Sequence, residues 1–571
     1  LTTDIGNSIK YAGNLTVTGI ASGDEATASA TYSAGATTGS NNVTLTASDG
    51  NWSLTRGVLD TDLGNSIKYA GNLTVTGITN ESAALTDYTT AKTGATLNEL
   101  TASDTNWSVV AADLTTALAA GVHLKGVLTV TGITNESAAL TDYTTAKTGA
   151  TMNTLTASDT NWSVVATTLD IALAAGVKLA GNLNVTSIST ESGASTKYST
   201  TNTGATNVLL TATDLNWSVS ASALNADIGN NIKYAGALTV LAISSGNKAA
   251  ALTAYTKSIT GADTNTLVAD GAWTLAVSTL DTALAAKVRL TGDLTVTGIT
   301  NEAAALTDYT TAKTGATTNK LTTAADGTWS VAATDLTTAM GAGVRLVGNL
   351  TVTGIASAAE AGASSNFSTS NTGATNVLLT ASDSNWSVTA TDLNADISSS
   401  IKYVGDVTVT GISNSAETNV TTTYSKINTG ASSVSLEASD GTWSVGTGAL
   451  DTDLNNDFRY LGDLTVTSIS NETTALTKYT TAKTGATKNT LTATDNNWSV
   501  AVSDLDTALT AGVRLAGNLT VTGVDGVDSE TAALTAYTTA KTGATTITLT
   551  AIDTNWSVAA ATLDTALAAA V

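Results

Sequence analysis

Internal repetition constrains this chain more than any other feature. Its ten tryptophans stand at 52, 107, 162, 217, 273, 329, 386, 443, 498 and 556, spaced by 55, 55, 55, 56, 56, 57, 57, 55 and 58 residues. The stretch Thr74–Thr96 returns letter for letter as Thr129–Thr151. It returns again as Thr295–Thr317 with Ala303 in place of Ser82. Copies opening on leucine divide the chain into 1–58, 59–113, 114–168, 169–223, 224–279, 280–335, 336–392, 393–449, 450–504 and 505–562, and 563–571 starts a further one. In such arrays each copy covers its neighbour's apolar face, and terminal copies are polar caps. The chain opens at Leu1 without a methionine and stops inside a copy, and neither end reads as a cap. It is therefore expected to be a segment of a longer chain.

Composition narrows the chemistry. Of 571 residues 42% are hydrophobic, enough to pack a core throughout, while charged residues are 12% and aromatics 5%. The surface must then be mostly Thr, Ser, Asn and Gly. There is no Cys, which removes disulfides, thiolate nucleophiles and Cys metal sites. There is no Pro, and His123 is the one histidine, which removes His metal clusters and most acid–base designs. The net charge of 24 − 47 = −23 disfavours nucleic acid. No apolar run is long enough to span a membrane, and no signal peptide is visible.

Within a copy, Leu73-Thr74-Val75-Thr76-Gly77-Ile78 alternates like a half-buried strand. Leu100–Ser103 and Trp107–Val109 flank a turn that reads Asp-Gly in four copies (Asp49-Gly50, Asp270-Gly271, Asp326-Gly327, Asp440-Gly441) and Asp-x-Asn elsewhere. Such a turn between alternating segments signals a β-hairpin. Thr421–Ile427, around Tyr424, reads as a third strand. Leu114, Leu118 and Val122 are spaced i, i+4, i+8 after Asp113, but the equivalent Leu224–Asn231 is poor helix material, so one or two helical turns or a structured loop are expected. Asn80 through Gly94 carries helix punctuation (an Asn cap, Glu81, Lys92, then Gly). Its Thr-rich counterpart Ser413–Gly430 favours strand, and one architecture must fit both, so β is expected there.

The run Asp326-Gly327-Thr328-Trp329-Ser330-Val331, followed by Asp335-Leu336, Gly343 and Leu350-Thr351-Val352-Thr353, resembles the tandem immunoglobulin-like repeats of large bacterial surface adhesins. The likeness covers about half of each copy. It implies an all-β array of ten repeats, with at most short helical turns. Copies of 55–58 residues are shorter than the roughly 100 of an immunoglobulin domain, so reduced β-sandwich modules are expected, with a continuous β-solenoid as the alternative.

Columns that recur through the copies are the candidates for chemistry. An aspartate precedes every tryptophan: Asp49, Asp104, Asp159, Asp214, Asp270, Asp326, Asp383, Asp440, Asp495 and Asp553. A glutamate follows the Thr-Gly-Ile strand in nine copies: Glu25, Glu81, Glu136, Glu191, Glu302, Glu360, Glu417, Glu472 and Glu530. Carboxylates on loops suit Ca²⁺, and the resembled adhesins often rigidify with it; turn capping and solvated loop charge are the simpler reading. A basic residue (Lys10, Lys68, His123, Lys178, Lys233, Arg289, Arg345, Lys402, Arg459, Arg514) precedes the Thr-Val strand, most simply as an edge charge. The tryptophans Trp52, Trp107, Trp162, Trp217, Trp273, Trp329, Trp386, Trp443, Trp498 and Trp556 are expected to be core, with a carbohydrate-stacking row as the alternative.

No copy gathers a unique set of nucleophile, base and oxyanion donors, so no enzyme is expected. The sequence points to a secreted structural protein, extracellular or on the cell surface of a prokaryote: a filament, stalk or surface-layer element that associates with copies of itself. The alternative is the stalk of an adhesin that binds glycans or a host receptor through a tip outside this segment.

Overall fold

The computed structural model describes residues 1–324, 327–413, 419–569 and 571, with the side chains of 527 and 528 aside. It overturns the all-β expectation. The protein is 37% helix and 42% strand, strands alternate with helices, and every strand pair is parallel. Immunoglobulin-like sandwiches are built from antiparallel strands, so neither that architecture nor the all-β solenoid describes these copies.

A stretch of two copies shows how the residues make the fold. Strand β1 (Ile67–Ile78) leads into helices α1 (Glu81–Asp87) and α2 (Thr90–Thr93), then β2 (Leu97–Val110), α3 (Ala111–Ala119) and β3 (Val122–Ile133). The next copy repeats the order with α4 (Glu136–Asp142), α5 (Thr145–Thr148), β4 (Met152–Val165), α6 (Ala166–Ala174) and β5 (Val177–Ile188). Asn80 caps α1, its side chain accepting from the Ala83 N–H at 3.2 Å. Gly94, at φ +79°, closes α2. Leu114 and Ala117, three residues apart, bury one face of α3, and Asp113 complements its N-terminal dipole.

The Asp-x-Asn segment is not a hairpin. A two-residue type I′ hairpin needs two residues at positive φ. Here Thr105 alone has one, at +63°. The strand therefore bends and continues in the same direction. Register shows where it goes: Asn98–Thr101 pair with Val122–Lys125, the pairing lapses, and Asn106–Val110 pair with Val127–Thr131. Residues 127–130 also pair with Met152–Leu155. The two halves of β2 thus lie in successive four-stranded sheets, and so do the two halves of β3. One such sheet stands alone as four short strands, in the order Trp273–Ala276, Asp293–Ile299, Thr318–Thr323, Val344–Val347.

The chain divides into two compact units, Leu1–Gly271 with Asp281–Thr291, and Ala272–Leu280 with Gly292–Val571. In the first, eleven strands are hydrogen-bonded in chain order; the second holds this four-stranded sheet and a sheet of nine strands. The Tyr424 strand is absent, replaced by helices Val420–Thr423 and Lys426–Thr429.

Where β2 and β3 pass from one sheet to the next they cross. Gly126, at φ +113°, lies against the bend of β2, and a Cβ there would sit 2.1 Å from the Thr105 carbonyl oxygen. Seven further crossings are built alike, with 2.0–2.4 Å from that Cβ position to the bend carbonyl. Gly126→Ala is expected to destabilise this crossing by about 2 kcal/mol or more, since it adds both left-handed strain and a backbone clash. Thr105→Gly should instead relieve strain. Amide exchange of Asn106–Val110 and Val127–Ile133, faster in the first variant and not in the second, checks both.

Candidate functional site

The recurring polar columns are the candidate site, and most of their described side chains bond to the chain's own backbone. Eight of the aspartates hold their bends. The Asp104 carboxylate accepts the Asn106 N–H at 3.0 Å, and the Asn106 amide donates back to the Asp104 carbonyl at 3.0 Å. Asp49, Asp159, Asp214, Asp383, Asp440, Asp495 and Asp553 accept the same backbone bond. The Asp270 N–H donates to the Ile243 carbonyl at 2.9 Å. Asp326 and Glu417 lie outside the described residues.

The eight described glutamates reach across to the strand that carries the tryptophan. Ser108 lies on the edge strand of its four-stranded sheet, and its outward N–H donates to Glu81 Oε2 at 2.7 Å. Glu136 and Ser163 repeat the contact at 2.9 Å, Glu191 and Ser218 at 3.1 Å, Glu302 and Ser330 at 2.9 Å, and Glu472 and Ser499 at 2.8 Å. Glu530 serves Ser557 at 2.9 Å. An open edge N–H invites a foreign strand, and a fixed carboxylate closes it. Burial and then the neighbouring Asp49 raise the Glu25 carboxyl above its ordinary range, and burial and Asp383 do the same at Glu360. Among the described residues no group of three or more His, Asp or Glu side chains is placed to hold a metal ion.

Six residues of the basic column cap helices. Lys68 Nζ donates to the Ala91 carbonyl at 3.1 Å, inside α2, and Lys178, Lys233 and Lys402 do the same at 3.2, 3.1 and 2.6 Å. Arg345 and Arg514 turn instead to the last turn of the preceding nine-residue helix, donating to the Met340 and Leu509 carbonyls at 3.2 Å. A cation suits carbonyls at a helix C-terminus, which explains why this position is basic. His123 is half-buried opposite Glu99.

Nine of the ten indoles are at most 3% exposed, and Trp556 is 37% exposed. Trp107 Nε1 donates to the Lys125 carbonyl at 3.0 Å, eighteen residues on and next to the crossing glycine. The bond recurs at Trp52, Trp162, Trp217, Trp329, Trp386, Trp443 and Trp498.

Sequence reading missed a second buried column. The Tyr69 hydroxyl donates to Asp62, a carboxylate only 5% exposed, and the Tyr69 ring meets Trp52 edge-on with centroids 4.8 Å apart. The pairs Tyr234–Asp227, Tyr403–Asp396 and Tyr460–Asp453 repeat both contacts. Their signal was in the sequence: tyrosine and aspartate come and go together, seven residues apart, from copy to copy. No protein-family model, curated protein or solved structure matches the chain.

Two outcomes follow. Glu81→Ala should speed exchange of the Ser108 amide about tenfold or more, because a charge-assisted bond is lost, while Glu81→Gln, which keeps the acceptor, should cost less. The second concerns alkaline pH. Burial, then the bond to aspartate, raises the phenols of Tyr69, Tyr234, Tyr403 and Tyr460, and Tyr88 is pushed up to about 12 by burial and Asp60. A folded pKa above the unfolded one gives stability that is full below about pH 10 and is lost as pH rises through the folded value. Growth of tyrosinate absorbance from the buried set should therefore be delayed well beyond about pH 10 and accompany loss of circular dichroism. A single phase near 10 would contradict the burial described.

Proposed function

We propose that this chain is an extracellular structural repeat protein, part of a filament, stalk or surface-layer element, that associates with copies of itself and has no catalytic role. The observation that carries the reading is the fate of its recurring polar residues. The aspartates, glutamates and lysines of successive copies are committed to bends, edge amides and helix carbonyls of the chain itself, with the same partners each time. An active site breaks such a pattern at one place, whereas a mechanical element gains from repeating it. Load along the chain would act on parallel strands shared between successive sheets. Among the described residues no helix is long and apolar enough to cross a membrane, so attachment would come from other parts of the protein or from partners.

Two measurements test the proposal. Antibody to the chain should label intact producing cells as strongly as broken ones; labelling only after lysis would count against an outside location. Pulling single molecules should give a ladder of unfolding events. Whole copies of 55–58 residues, stretched at about 3.5 Å each, would release roughly 190 Å per step. Extension at negligible force, without steps, would remove the mechanical reading.

A further inference from the structure

The buried Tyr–Asp pairs obey a rule that spans the boundary between copies. Ser29, Ser195, Ser364 and Thr421 hold one position, three residues before the aromatic that follows each seven-residue helix or its equivalent. The copies that follow them carry Asp62 and Tyr69, Asp227 and Tyr234, Asp396 and Tyr403, and Asp453 and Tyr460. Where the position is leucine, as at Leu85, the next copy has alanine and leucine, Ala117 and Leu124. The same holds after Leu140, Leu252, Leu306 and Leu476. A fourth position follows suit: Val43, Val208, Val377 and Val434 accompany the hydroxyl, and Asn98, Asn153, Asn265, Asn319 and Asn489 accompany the leucine. None of the nine complete junctions departs from the rule.

The geometry explains why the sets do not mix. In the polar set Ser29, 7% exposed, hydrogen-bonds to Asp62 and Tyr69, and Tyr69 packs on Trp52. Ser195 and Ser364 approach Tyr234 and Tyr403 in the same way. In the apolar set Leu85, Ala117 and Leu124 are all buried at 3% exposure or less. There the polar atoms move one position along: fully buried Asn98 donates to the Tyr88 carbonyl at 2.6 Å and accepts from Thr93 at 3.0 Å. Leucine set against Asp62 and Tyr69 would overfill the site and cost the carboxylate a donor. Serine set against Ala117 and Leu124 would leave a void and an unpaired buried hydroxyl.

We propose that these four positions form a junction code of two kinds, by which each half-copy accepts only a following half-copy of its own kind, in the same chain or in a second copy of it. Nine junctions read in order polar, apolar, apolar, polar, apolar, apolar, polar, polar, apolar. Copies otherwise nearly identical are thereby told apart, so that a copy stacked on the wrong neighbour is disfavoured.

Two deletions of equal length test this. Removing residues 114–168 joins the Leu85 copy to Ala172 and Leu179, a matched junction. Removing 59–113 joins the Ser29 copy to Ala117 and Leu124, a mismatched one. Amide exchange by mass spectrometry reads the strand on the N-terminal side of each new joint. The matched joint should exchange within about twofold of the parent chain. The mismatched joint should exchange about tenfold faster or more, for the void and the unpaired hydroxyl. Adding Ser29→Leu with Val43→Asn to the mismatched deletion should restore protection. Equal exchange at the two joints, or a failure of that pair of substitutions to rescue, would overturn the code.

Discussion

The fold depends on the crossing of two strands. At eight crossings β2 and β3, or their equivalents, leave one sheet and enter the next side by side, and the backbones touch where they do so. That contact admits no side chain at Gly126, whose Cβ would sit 2.1 Å from the Thr105 oxygen. It also demands a left-handed residue at the bend, whether Gly50, Thr105, Leu215 or Asn496. A leucine or threonine there is strained, and the surrounding bonds hold it. The aspartate ties the bend from one side. The indole N–H, bonded to the carbonyl just before the crossing glycine, ties it from the other. Tryptophan is then both the largest core residue and the clamp on the crossing, which leucine or phenylalanine in that position would not supply.

Because long strands such as β2 and β3 serve two sheets, neighbouring copies are not independent domains. The second half of β3 lies between the tryptophan strand of the preceding copy, at Asn106–Val110, and the Met152–Leu155 strand of its own. A stack of this kind gains stability from interfaces as much as from the copies themselves. It follows that the most discriminating residues sit at junctions, where Ser29 meets Asp62 or Leu85 meets Ala117, and not within any one copy. The glutamate column belongs to the same logic. Once strands are shared in this way, each sheet still has an edge, and Glu81 occupies the Ser108 edge amide that another chain would otherwise reach.

Much of this was legible in the sequence. The Leu73–Ile78 strand and the alternation about Trp107 are read from periodicity, and both are strands in the structure. What failed was the direction of the chain after each strand. The Asp-Gly and Asp-x-Asn segments read as hairpins because local sequence does not say whether one or two residues turn left-handed. The helices were missed because they are brief, seven residues at Glu81–Asp87 and four at Thr90–Thr93, too short for a 3.6-residue period to emerge. They are also rich in threonine, which suggests strand. In α3 the Thr115 and Thr116 hydroxyls donate back to the Ala111 and Ala112 carbonyls at 2.8 and 3.0 Å, so these side chains sit comfortably in a helix. The Asn80 cap and the Gly94 stop do bound helices, and the Thr-rich counterpart holds helices as well, at Val420–Thr423 and Lys426–Thr429. The adhesin likeness rested on the tryptophan strand, which a parallel sheet can supply as well as a sandwich.

The absence of proline now has a structural reason. Proline lacks an N–H and is confined in sheets to edges and bulges, and in helices to the first turn. Here the first half of β2 is paired on both sides, with residues 72–75 and with 122–125. The short connectors are no freer: the Thr90 N–H donates to the Ala120 carbonyl at 3.0 Å, the Thr96 N–H to Gly71 at 2.7 Å and the Asn98 N–H to Gly121 at 2.9 Å. Each is a bond between successive coils of the chain, so a proline at any of them would unfasten one coil from the next, and in an array of near-identical copies the same loss would recur wherever the change was duplicated. Glycine does the turning instead. It reaches the left-handed conformations of Gly94, Gly121 and Gly126 while its N–H stays available, as in Gly94 donating to the Thr90 carbonyl at 2.8 Å.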